Sequence, residues 1–153
     1  MRILLVAIGR ARGELAPAIA DYESRAGRYW PLEVVEVRAE SARSLSPDEV
    51  REREGRRLVQ ALPAGARVWA CDERGRGMTS AEFAEALQRQ QFAAQDLAIV
   101  IGGAYGLHEI VRSRADLVLS VAPFTLPHDL ARLVLAEQLY RAGTIARGEP
   151  YHK

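Results

Sequence analysis

Four short stretches of this 153-residue chain carry the residue types that chemistry needs. "CDERGRG" places a carboxylate, Asp72, directly after an apolar run that ends at Cys71. There it could accept hydrogen bonds from a ligand's hydroxyls or amine. A polar turn is the more ordinary reading of the same residues, with Gly75 and Gly77 supplying uncommon backbone angles. Cys71 reads as a small apolar strand-end residue rather than a nucleophile, since no histidine lies near it in sequence. "VIGGAYG" groups Gly102, Gly103 and Gly106, which let backbone approach a ligand closely and expose amide donors. A tight strand-to-helix turn accounts for these glycines equally well. Their spacing is not the G-x-G-x-x-G dinucleotide fingerprint, and they follow the fourth apolar run rather than the first.

The third stretch, "VAPFTLPH", is apolar where surface loops are usually polar. Pro123 and Pro127 stiffen it, and each confines the residue before it to extended conformations. Phe124 and Leu126 could then form a fixed apolar wall, with free backbone groups turned toward a ligand. A flat heterocycle such as adenine, apolar on its faces and polar at its edges, would suit that wall. With equal weight, the two side chains plug the core beneath the last helix. The fourth stretch is the tail "RGEPYHK", which closes with Tyr151, His152 and Lys153. A terminal tail ordinarily frays. One holding a tyrosine, a histidine and a cation could also stack on a nucleobase.

Composition removes several classes. Three histidines and one cysteine, all far apart, offer no metal-ligand spacing. A single cysteine excludes an intramolecular disulfide and suits a reducing cytoplasm. The opening "MRILLVAIG" reads as a strand rather than a signal segment, because its apolar core is brief and Gly9-Arg10 follows. No apolar run is long enough to cross a bilayer. A formal net charge of +1 gives no strongly cationic grip on nucleic acid. The length and the 48% hydrophobic content suit one soluble domain, residues 1–153, with a proper core.

The elements that must position these stretches follow from periodicity. Apolar runs rich in β-branched residues cover residues 2–8, 32–37, 67–71, 97–101 and 116–121. Most are continuous rather than alternating, as in parallel strands covered on both faces. Helical patterns lie between them. Residues 14–26 carry Leu15, Ala18, Ile19 and Tyr22 on one stripe. Ser46-Pro47-Asp48-Glu49 is a capping box opening a charged helix to about Leu62, and Thr79-Ser80-Ala81-Glu82 is a second. A short helix is expected over residues 107–114 and the last over residues 128–142. The fold class is α/β, a mostly parallel, doubly wound sheet with helices on both faces. Ligands in such sheets bind where strands end at their carboxyl side, which selects the loops 72–78, 102–106 and 122–127. His128 is expected in the first turn of the last helix as structure, and His108 is expected to face solvent. That helix carries more apolar surface than one core stripe needs: Leu130, Leu133, Val134, Leu135, Leu139 and Tyr140. It is expected to pack on the sheet with one side and on a partner subunit with the other.

Taken together, "IGGAYGL", "FTLPHDLARLVLAEQLYRA" and the terminal "PYHK" resemble the RlmH family of SPOUT methyltransferases, and the likeness runs over essentially the whole chain. The resemblance implies an α/β-knot fold, with a C-terminal trefoil knot that periodicity alone would not suggest. It implies a cytoplasmic homodimer that binds S-adenosyl-L-methionine. It also implies methyl transfer to N3 of a pseudouridine in the helix 69 loop of 23S rRNA. Carried onto this chain, the cofactor contacts would be Cys71, Asp72, Ile101, Gly102, Gly103, Ala122, Pro123, Phe124, Thr125, Leu126 and Pro127. Arg141, Tyr151 and His152 would stand near the target nucleotide, the tail meeting the cofactor of the other subunit. His152 would be the base that removes the N3 proton, and Tyr151 would stack on or orient the ring. Arg141 would stabilise its charge or hold a phosphate. Two residues depart from the usual pattern: Cys71 stands for an aliphatic residue, and Lys153 for an arginine. With near-neutral charge and no separate RNA-binding domain, the expected substrate is assembled ribosome or large subunit rather than naked RNA. A cofactor-binding regulatory module of the same fold is the rival reading. A nicotinamide oxidoreductase is disfavoured because "GRARGE", after the first strand, lacks the fingerprint.

Overall fold

The computed structural model describes residues Met1 to Lys153. Five strands, β1 (Ile3–Ile8), β2 (Leu32–Val37), β3 (Arg67–Gly77), β4 (Leu97–Ile101) and β5 (Leu117–Ser120), form one sheet in the order β2-β1-β4-β3-β5. Every pairing is parallel. Four helices fill the connections, α1 (Ala16–Ala26), α2 (Pro47–Ala61), α3 (Ser80–Phe92) and α4 (Glu109–Arg112), and α5 (His128–Ala146) follows the last strand.

The continuous apolar runs make sense against two separate cores. Along β1, Ile3, Leu5 and Ala7 join a cluster with Trp30, Phe83, Leu135 and Leu139, under α1, α3 and α5. Leu4, Val6 and Ile8 turn to the opposite face and pack with Leu58 and Val111 under α2 and α4. A strand with a packed layer on each side has no polar face to alternate.

Both capping boxes form. Ser46 accepts from Glu49 N while the Glu49 carboxylate accepts from Ser46 N, and Thr79 and Glu82 repeat the arrangement. Each cap is worth about 1 kcal/mol. α5 is tied to its neighbours by polar contacts inside the core. Trp30 Nε1 donates to Leu139 O at 2.8 Å. Arg132, 4% exposed, pairs with Glu23 at 2.7 Å and Glu36 at 3.0 Å, fixing α5 to α1 and β2. Such a buried cation is retained only when its donors are matched. Leu130, Leu133, Val134 and Tyr140 remain half-buried along the same helix. No helix is long and apolar enough to cross a membrane.

Four expectations are corrected. Residues 72–77 are not a turn: β3 runs on to Gly77, and after a bulge between Cys71 and Arg76 it rejoins β5 in register. The bulge admits the polar segment because Gly75 lies against β5, where a Cβ would sit 2.6 Å from the Leu119 carbonyl carbon. α5 continues past Ala142 to Ala146, since Gly143 is packed under the Tyr29 ring rather than ending the helix. α4 is shorter than residues 107–114, and its N-cap is His108, whose Nδ1 accepts from Ile110 N at 3.2 Å. His108 is therefore half-buried and engaged rather than simply facing solvent.

Candidate active site

β4, β3 and β5 are neighbours, so the segments leaving their carboxyl ends converge on one cleft of about 870 Å³. That volume suits a nucleoside-sized ligand. All the residues named above as cofactor contacts line it except Pro123. His128 opens α5 at its edge and, at 3.5 Å, its Nε2 faces Asp129 Oδ1.

Each wall has a different physical origin. The β4–α4 wall is backbone. Gly103 and Gly106 form an isolated antiparallel bridge, with Gly106 N donating to Gly103 O at 3.0 Å. The turn is so tight that a Cβ at Gly102 would lie 2.8 Å from the Gly106 carbonyl carbon. The β5–α5 wall is the proline-bounded loop. Phe124 is 78% exposed there, so it is not a core plug; Leu126 is half-buried. Thr125 Oγ1 donates to the Glu73 carboxylate, linking this loop to the β3 wall.

The β3 wall is ionic. The Asp72 side chain is 8% exposed, and both of its oxygens accept from arginines. Arg74 Nε reaches Oδ1 at 3.1 Å, and Arg112 Nη1 reaches Oδ2 at 3.1 Å. Burial alone would raise the Asp72 pKa, but the hydrogen bonds and charge of Arg74, with the charge of Arg112, outweigh it. The carboxyl titrates below its ordinary range. The apolar surroundings push the Cys71 thiol up to about 12, so it stays neutral and is no nucleophile.

Sequence reasoning passed over Arg51 and Arg112, which bring cations to the cleft. Arg51 pairs with Asp48 on α2 and donates to Tyr105 O at 3.4 Å. It comes from a helix some fifty residues earlier in the chain, and nothing local in the sequence marks it. Arg112, held by Asp72, Glu109 and Leu107 O, could have been suspected from its place in the short helix after the glycine loop.

Arg141, Tyr151 and His152 do not line the cleft. They form their own cluster at the far end of α5. The Arg141 guanidinium sits 4.8 Å from the Tyr151 ring centroid and 3.4 Å from His152 Nδ1. Tyr151 packs edge-on against Tyr140 at 4.6 Å and donates to Glu137 Oε1 at 3.0 Å. Glu137 also pairs with Arg141. Burial, with hydrogen bonds to Tyr22 and Glu137, pushes the Tyr151 phenol well above its ordinary value, so it remains protonated. Arg141 lies ten residues past Ala131, the last residue of α5 to line the cleft, which separates the two by roughly 15 Å along the helix.

The family model described as "Predicted SPOUT methyltransferase" matches residues 1–152. "Ribosomal RNA large subunit methyltransferase H" of Gemmatimonas aurantiaca is 61% identical, with all of both chains covered. Among solved structures, a probable methyltransferase from Bordetella pertussis shares the fold, with a TM-score of 0.55 at 16% identity, over 92% of this chain and 95% of that one. A putative methyltransferase from Legionella pneumophila, solved with its bound cofactor SAM, gives 0.53 at 12% identity, over 95% of this chain and 66% of that one. With its parallel sheet, its cleft at three strand ends and this match along its full length, the chain belongs to the SPOUT methyltransferases, in the family of the ribosomal RNA large subunit methyltransferase H proteins.

Proposed function

We propose that this chain methylates N3 of a pseudouridine in the helix 69 loop of 23S rRNA, acting as a homodimer on assembled ribosomes or large subunits. The coarser activity, methylation of large-subunit ribosomal RNA with S-adenosylmethionine as cofactor, follows from the family. The nucleotide specificity rests on the family likeness; the observation that carries the homodimer is the separation of roughly 15 Å along α5 between the cleft and the tail cluster on one chain. A site built from both needs the tail of a second copy. The half-buried apolar residues left along α5 support such a partner.

The cleft fits the cofactor. Phe124 and Leu126 offer an apolar wall for adenine, and the cramped glycine turn leaves room for backbone contact alone. When bound, S-adenosylmethionine supplies a methyl group on a positively charged sulfur, so the protein's main task is positioning. N3 of the ring carries a proton that must leave, and His152, which lies beside Arg141 in the tail cluster, is the base in this reading. Tyr151, held protonated, cannot be that base; it stacks on or orients the ring. Arg141 stabilises negative charge as the ring loses its proton. The knotted threading belongs to the same proposal, and the hydrogen bond from Thr125 to Glu73 ties the loop after β5 to the β3 extension.

The test is tritium transfer from methyl-labelled S-adenosylmethionine to ribosomes lacking the modification, compared with free 23S rRNA. Label is expected in the helix 69 fragment from ribosomes, and it should fall at least about hundredfold with His152→Ala. Equal rates on free rRNA would overturn the ribosome reading. Cofactor binding with no label on either substrate would leave a regulatory module.

A further inference from the structure

A buried carboxyl lies behind the glycine loop. Glu54, on the inner face of α2, is 3% exposed. Its Oε1 accepts from Glu40 N at 3.0 Å, closing the β2–α2 loop onto the helix. Its Oε2 has no hydrogen-bond partner. That oxygen faces Gly103, where a Cβ would lie 2.6 Å from it and 3.0 Å from Ile8 Cγ2. Gly103 is itself part of the cleft wall, so a single residue without a side chain stands between the carboxyl and the cavity. The contact is enforced from α2: at Gly55 a Cβ would meet His108 Cβ and Ile110 Cγ2 at 3.0 Å.

A buried carboxyl with one oxygen left unpartnered is costly, and a chain seeking stability alone would place an apolar residue there. The groups around it do not neutralise it by contact. Arg57 on the same helix is committed to Glu40 and Arg38 O. Glu40 adds negative charge from the β2–α2 loop. His128 approaches from the start of α5, His108 from the glycine loop, and β1 contributes only apolar Ile8. Burial, partly offset by the Glu40 amide and Arg57, raises the Glu54 pKa above the ordinary carboxylate range. The space in front of the carboxylate is the cleft, whose arginines are committed elsewhere, Arg51 to Asp48, Arg74 to Asp72 and Arg112 to Asp72 and Glu109, so no free arginine faces it.

We propose that Glu54 is a positioning residue for the cofactor cleft: its buried carboxylate, one glycine behind the wall, makes the cavity favour a sulfonium ligand over the uncharged thioether left when the methyl has gone. This rests on the reading of the cleft as the S-adenosylmethionine site. Glu54 touches neither ligand and acts through Gly103 and through space. At an effective interior dielectric of about 20, the preference should be roughly tenfold. Linkage makes it reciprocal, so the bound sulfonium should hold the carboxyl ionised to lower pH, and the thioether should not.

Calorimetric affinities for S-adenosylmethionine and S-adenosylhomocysteine at pH 7 would test it, on wild type, Glu54→Gln and Glu54→Asp, with melting curves as the check on folding. Glu54→Gln keeps the shape and removes the charge. It should weaken the sulfonium roughly tenfold and the thioether less than about twofold, while Glu54→Asp keeps most of the preference. Equal weakening of both ligands, or of neither, would make Glu54 a structural brace and overturn the proposal. Should Glu54→Gln not fold, carbon NMR of the wild-type carboxyl decides: its titration must move to lower pH with the sulfonium and stay put with the thioether. A wild type that binds neither ligand would instead overturn the cofactor reading itself, and the role of Glu54 with it.

Discussion

The cleft lies at the start of α5 and the tail cluster along its second half, and the two are built by opposite means. The cleft is shaped mostly by backbone, through the cramped turn at Gly102 and the proline-bounded loop over β5. The tail cluster is shaped by side chains held to one another: Tyr151 on Tyr140, Arg141 over Tyr151, and Glu137 joining both. Backbone sites resist side-chain replacement and fail when a Cβ appears. Side-chain clusters fail when one member is removed. The two regions should therefore break under different mutations and lose different steps.

The largest effect is expected from ending the chain at Pro150. Transfer to ribosomes should fall at least about hundredfold while cofactor affinity changes less than about threefold. Melting should drop by only a few degrees, since Tyr151 gives up edge contacts rather than core burial. If the two regions work across a dimer, mixing truncated chains with cleft-defective chains should recover about a quarter of wild-type transfer, from heterodimers with one intact pair. No recovery would place tail and cleft in the same subunit.

Gly102→Ala is the complementary break and the next largest. Its Cβ would meet the Gly106 backbone at 2.8 Å, so the turn must open. Cofactor affinity should fall about 10- to 100-fold, at a cost in stability of about 1–3 kcal/mol. The tail contacts should survive, and near-ultraviolet dichroism from the tyrosine cluster would show whether they do.

These two regions were also unequally legible in the sequence. The five apolar runs gave the sheet, because strands packed on both faces leave continuous patterns. The capping boxes gave the starts of α2 and α3, because their hydrogen bonds are local. Gly143 misled, since a glycine near a helix end usually stops it, whereas here the Tyr29 ring, from the turn after α1, packs on it. "DERGRG" misled likewise: its partner, β5, lies some forty residues on, and only that pairing makes a polar, glycine-rich segment a strand. The cleft residues were found because parallel sheets bind ligands at strand ends. Arg51 was not, because a cation reaching in from another helix has no local signature.

Asp72→Asn should act on the cleft with a smaller effect, because Arg112 keeps Leu107 O at 2.6 Å and Glu109 as partners. Cofactor affinity should fall severalfold, no more than about tenfold. The sign of the stability change with pH follows from the lowered pKa. The carboxylate's contribution is fully present above the ordinary aspartate pKa of about 4, and it is lost as pH falls through the lower folded-state value. Wild type and variant should thus differ in melting temperature by a constant amount at neutral pH and converge in strong acid. A gap that widened on acidification would mean that the ion pairs with Arg74 and Arg112 do not hold Asp72 ionised.

The smallest change separates shape from chemistry in the tail. Tyr151→Phe keeps the ring against Tyr140 and beneath Arg141, and removes only the hydroxyl with its hydrogen bonds to Glu137 and Tyr22. Each such bond is worth about 1 kcal/mol, so transfer should fall by no more than about thirtyfold. The pH dependence of the rate should keep its shape, because a phenol held protonated by burial and by its neighbours contributes no titration of its own. A loss as deep as that from the truncation would assign the phenol a direct part in the proton transfer, and would take that part away from His152.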